Sequence, residues 1–132
     1  YTVNVPTDAE LARQAARVLL LEHPDIIVLV GFNEPLAVGT AMAVDELELN
    51  GQVREIAFDT NPVCVELLQK GAVSALIVQN PYAMGYLGVE TAWRSLQGER
   101  FDASSLINTP TTTITRETMF TIESQKAIFS FD

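Results

Sequence analysis

Short aliphatic and β-branched runs alternate along this chain with longer stretches whose apolar positions recur every three or four residues. Ile26-Ile27-Val28-Leu29-Val30 is an unbroken apolar run, as expected of a strand covered on both faces of a parallel sheet. Glu55–Phe58 and Ser74–Val78 are shorter strands of the same kind. Between them, Leu11, Ala15, Val18 and Leu19 form one helical stripe, and Tyr82, Tyr86, Val89, Trp93 and Leu96 form a second. Asn50-Gly51, Lys70-Gly71 and Gly98 mark helix ends, because glycine enters the left-handed conformation at little cost. Alternating βα units of this kind predict an α/β fold with a Rossmann-like parallel sheet flanked by helices. After Phe101 the pattern changes to a polar stretch. One more strand is predicted within Leu106–Ile114, then a tail packing by its apolar residues, with no internal boundary marked by linker composition.

The 132 residues are enough for one domain or one lobe of a larger protein. A net charge of −9 without a basic cluster excludes a nucleic-acid or anionic-membrane footprint. The single Cys64 cannot form an internal disulfide, and the single His23 cannot anchor a Cys/His zinc site, so neither metal nor other cofactor is expected. Hydrolase-elbow, phosphate-loop and dinucleotide glycine motifs are absent, and no catalysis is expected. Asp45-Glu46 reads as a solvated helix face, His23 as a helix end and Cys64 as a small apolar core residue.

Three strand ends share one device. Val30-Gly31-Phe32-Asn33-Glu34-Pro35, Phe58-Asp59-Thr60-Asn61-Pro62 and Val78-Gln79-Asn80-Pro81 each pass from a strand through a hydrogen-bonding side chain to a proline at a helix start. Asn61 and Asn80 read as N-caps. Asn33, Asp59 and Gln79 are left near the carboxyl ends of their strands, the edge where open parallel sheets bind ligands. Their amides and carboxylate suit sugar hydroxyls, although polar residues at strand ends more often cap helices or turns. Phe32 and Phe58 are candidates for an apolar wall or for core packing.

Taken together, His23-Pro24-Asp25-Ile26, Phe32-Asn33-Glu34-Pro35-Leu36-Ala37-Val38-Gly39, Ile56-Ala57-Phe58-Asp59, Lys70-Gly71 and Val78-Gln79-Asn80-Pro81-Tyr82-Ala83-Met84-Gly85-Tyr86 resemble the C-terminal lobe of type I periplasmic sugar-binding proteins, the ribose-binding class. The resemblance implies one lobe of a two-lobed fold, with Asn33, Asp59 and Gln79 as sugar ligands. It also implies a sugar receptor outside the cytoplasm, lipoprotein-like, whose partner is an ABC transporter permease. The alternative is the effector-binding domain of a lac-repressor-like regulator or sugar sensor. Glu34 stands where that family has Asp, Ala57 where it has Gly, and Thr7 near a usual aromatic. Residues 1–132 match a partial C-terminal lobe. The 81–97 helix is expected to pack on the other lobe, or without it to drive self-association.

Overall fold

In the computed structural model, which describes residues 1–102 and 106–129, the elements follow the order α1 (Ala9–Glu22), β1 (Val28–Gly31), α2 (Glu34–Glu46), β2 (Arg54–Phe58), α3 (Pro62–Lys70), β3 (Ala75–Val78), α4 (Pro81–Leu96), β4 (Thr112–Thr115) and α5 (Ile122–Phe129). They fall into two compact units, one holding Tyr1–Val78 with the stretch from Thr112 onward, the other Gln79–Thr111. Composition gives no sign of this division, since no Gly- or Ser-rich linker accompanies it.

The first unit is built on a sheet of strand order β1-β2-β3-β4. β1, β2 and β3 pair in parallel, as predicted. β4 runs antiparallel to β3, a common ending for an otherwise parallel sheet. The strand predicted over Leu106–Ile114 narrows to Thr112–Thr115. Pro110, which has no N–H to give a ladder, lies just outside it, and Leu106 is exposed. The tail packs through an apolar residue, as expected, in the form of a helix: α5 buries Ser124 and Ile128, and residues 130–132 lie outside the described residues.

Alternation along the strands turns Leu29, Glu55, Ala57, Leu76, Val78 and Ile114 inward. Ala57, Leu76, Val78 and Ile114 join Cys64 and Leu68 of α3, Met119 and Ile128 in one core. Leu29 joins Ala16 and Leu20 of α1 and Ala43 and Val44 of α2 in a second. Val28 and Val30 are 43% and 41% exposed, so the two-sided burial predicted for this strand is not met.

The stripe predicted for α1 is also displaced. Ala12, Ala16 and Leu20 are buried, while Leu11 and Val18 are exposed. Close packing on α2 selects the small residues: a Cβ on Gly39 would lie 2.2 Å from the Ala9 carbonyl oxygen and 2.6 Å from Ala12 Cβ. Leucine or valine has no room in that contact.

The second unit is dominated by α4, in which no residue is fully buried. Its Tyr82 and Tyr86 rings lie 6.4 Å apart, and Arg94 donates to Glu99 at 2.7 Å just beyond the helix end. Gly98, marked as a helix end by sequence, has φ 94°.

Candidate functional site

Gly31 closes β1 and lets α2 begin almost at once. A Cβ there would meet the Ala37 backbone at 2.6 Å, so no other residue permits this tight strand-to-helix passage. Asn33 is the N-cap of α2, its Oδ1 accepting from the Leu36 N–H at 3.1 Å, with Pro35 in the first turn. Its side chain is half-buried. The cap leaves its Nδ2 hydrogens and one oxygen lone pair for other partners.

At the end of β2, Asp59 adopts φ 75°, a left-handed conformation uncommon outside glycine and tolerated best by Asp and Asn. Its backbone N–H donates to the Ile77 carbonyl at 3.1 Å, which holds the strained turn against β3. Gly31 pairs with Ala57 across the parallel ladder, so Asn33 and Asp59 each stand two positions past one register level at the same sheet edge. The rings of the preceding residues, Phe32 and Phe58, lie 5.4 Å apart, tilted by 36°. Phe32 is 66% exposed, which removes it from the core and leaves it an apolar surface beside the two polar side chains. Gln79 follows β3 directly in the chain, opens the second unit and is exposed.

The remaining candidates have structural uses. Asn61 caps α3 through the Cys64 N–H at 2.9 Å, and Asn80 caps α4 through the Ala83 N–H at 2.8 Å. Burial pushes the Cys64 thiol up, Asn61 opposes this through a hydrogen bond, and the negative fields of Glu34, Asp59 and Glu55 raise it further. Such a thiol is a poor nucleophile. His23 caps α1 and stacks on the Tyr1 ring at 3.8 Å. Asp45 accepts from Asn50 at 2.8 Å, and Glu46 binds Arg13 at 2.6 Å. Among the described residues no group of His, Cys, Asp and Glu is placed to hold a metal.

A cavity of about 540 Å³ lies beside β1, and Phe32 belongs to its lining. Its walls are the segment Tyr1–Val5, small residues of α1, Val28–Val30, Phe32, and Leu36 and Thr40 of α2, and it includes neither Asn33 nor Asp59. Its polar lining is limited to Tyr1, Thr2, Asn4 and Thr40 and includes no charged side chain. Sequence reasoning passed over it, and it passed over the buried carboxyl of Glu55. The second was open to detection, because alternation places Glu55 on the same face as Ala57.

Comparison with known proteins fits this arrangement. A model of the periplasmic binding protein domain matches residues 2–100, and the chain belongs to that family. The D-ribose/D-allose-binding protein of Pseudomonas aeruginosa is 27% identical over 110 residues, covering 82% of this chain and 34% of its own. The ribose import binding protein RbsB of Escherichia coli is 33% identical over 85 residues, covering 64% of this chain and 28% of its own. The chain thus spans about a third of the length of these curated relatives. An ABC transporter solute binding protein from Agrobacterium vitis, solved with bound D-fucose, superposes with a TM-score of 0.77 at 25% identity, over 98% of this chain and 44% of that one. The glucose-galactose binding protein GanP of Geobacillus stearothermophilus gives 0.71 at 31% identity, over 83% and 38%. Chain and relatives share the α/β fold of type I periplasmic sugar-binding proteins, and the relatives are binding proteins rather than enzymes.

Proposed function

We propose that this chain supplies one wall of a sugar-binding cleft in a two-lobed receptor, which acts outside the cytoplasm and delivers its ligand to an ABC importer permease. The observation that carries this reading is the pair Asn33 and Asp59, standing in register at one sheet edge beside the Phe32 and Phe58 rings. Asp59 accepts two hydroxyl hydrogens and the Asn33 amide donates to a hydroxyl oxygen, while Gln79, given to the ligand by its place in the sequence, offers a further donor and acceptor. Phe32 offers an apolar face to the C–H side of a sugar ring. Backbone strain at Asp59 supports the same assignment, since such conformations concentrate at ligand clamps. The sugars in the relatives' names, ribose, allose and fucose among them, support a neutral monosaccharide as the ligand. Binding and release suffice for this role, and no residue is assigned to bond-breaking.

Calorimetry with a panel of neutral pentoses and hexoses on the two-lobed protein carrying this lobe tests the proposal. Saturable one-site binding that is lost on combined replacement of Asn33, Asp59 and Gln79 is the expected result. Absence of binding across the panel, or binding indifferent to all three residues, overturns it.

A further inference from the structure

Glu55 is fully buried in β2, and its Oε2 has no hydrogen-bond partner among the described residues. Its Oε1 is hydrogen-bonded to the Thr40 hydroxyl of α2. That hydroxyl also lies 2.9 Å from the Leu36 carbonyl oxygen and 3.0 Å from the Ala37 carbonyl oxygen. Three oxygens therefore surround Thr40 Oγ1, and two of them, being carbonyls, have no hydrogen to give. A hydroxyl brings one hydrogen and two lone pairs. With Glu55 ionised, all three neighbours compete for that one hydrogen, and contacts between bare lone pairs are left over. With Glu55 protonated, its O–H donates to Thr40 Oγ1, and the Thr40 hydrogen is shared by the two carbonyls of its own helix.

Among the described residues no cation is paired with a charge at this position. β1 (Val28–Gly31) and β3 (Ala75–Val78) carry no titratable side chain. α3 contributes the Cys64 thiol, which itself feels the negative fields of Glu34, Asp59 and Glu55, while its Lys70 is paired with Glu66 at 2.5 Å. α2 contributes only the acidic Glu34, Asp45 and Glu46, and the guanidinium of Arg13 on α1 is held by Glu10 and Glu46. Arg54 precedes Glu55 on the strand and so faces the other side of the sheet. An ionised Oε2 here is a desolvated charge without a donor, whereas the neutral acid leaves only a carbonyl oxygen unsatisfied.

We propose that Glu55 is a protonated carboxylic acid whose O–H, donated to Thr40, latches α2 onto β2 and makes this lobe proton-sensitive. Burial, opposed only by the Thr40 hydrogen bond, raises the Glu55 pKa to about 8. The folded state then keeps a proton that the unfolded chain releases in the ordinary carboxylate range. Rising pH disfavours folding from that range up to about 8 and has no further effect through this group above it.

Two measurements test the latch. Thermal melts of the protein from pH 6 to pH 9.5 should show a melting temperature that falls up to about pH 8 and then levels. Glu55→Gln keeps a donor toward Thr40 but cannot titrate, and its melts should lack that slope. Carbon-13 NMR of the wild-type side-chain carboxyls, assigned through bonds, should place the Glu55 titration near pH 8. This second reading needs no variant to fold. A Glu55 carboxyl that titrates in the ordinary range overturns the proposal, as does a Glu55→Gln protein with the wild-type slope.

Discussion

At the scale of single residues, Asp59 combines a left-handed backbone with a carboxylate at the end of a strand. Asp59→Ala removes the acceptor, so sugar affinity in the two-lobed protein should fall by about 1.5 to 3 kcal/mol, the scale of hydrogen bonds to a charged group. Calorimetry giving an unchanged affinity would remove Asp59 from the site. Asn61 is close by in sequence and is assigned the opposite role. Its Oδ1 is the acceptor for the Cys64 N–H, so Asn61→Ala should lower stability by about 1 kcal/mol, measured by urea denaturation, with sugar affinity unchanged. Both residues are polar and follow the same strand. The capping bond at Asn61 and the left-handed backbone at Asp59 mark their different uses.

Between elements, the contact of α1 with α2 rests on small side chains. Gly39 meets the Ala9 carbonyl and Ala12 so closely that a single added methyl has no space, and neither the helix backbone nor an alanine side chain can move aside. Gly39→Ala should therefore destabilise the lobe by on the order of 1 to 3 kcal/mol despite its better helix propensity. A melting temperature equal to or above wild type would show that the helices separate without cost. The same contact explains the displaced stripe on α1. A 3.6-residue period was legible in Leu11, Ala15, Val18 and Leu19, but the approach distance of the partner chose Ala12 and Ala16 as the buried face. Periodicity announces a helix; the partner decides which side is covered.

For the molecule as a whole, the main unresolved burden is apolar surface on α4. Tyr82, Tyr86, Val89, Trp93 and Leu96 are between 59% and 85% exposed, and the helix buries no residue fully. Each large side chain left in water forgoes roughly 1.5 to 3 kcal/mol of burial. In a two-lobed receptor the second lobe is the proposed cover; for this chain alone, a second copy is. Sedimentation should show concentration-dependent association, accompanied by a blue shift of Trp93 fluorescence, and Val89→Glu should suppress both. A stable monomer with an indole emitting as in water would refute the association. The same chain should bind sugar negligibly, since one wall does not enclose a ligand.

The α/β class, three of the strands, the proline-led helix starts and the Asn caps were determined by sequence alone, because each rests on local physics: alternation, periodicity, fixed proline φ and short-range hydrogen bonds. Asn33, Asp59 and Gln79 were singled out in the same way, by their places after apolar runs. Tertiary structure decided what depends on distant partners. It reversed β4 against β3, turned the tail into a helix packed by Ile128, left Val28 and Val30 uncovered, and moved the buried face of α1 by one residue. It also set Asp59 into a left-handed turn and enclosed Glu55 beside Thr40. A strand pattern records that a residue faces inward, but the groups it meets there come from α2 and α3, many residues away, and they fix whether a buried carboxyl carries a charge or a proton.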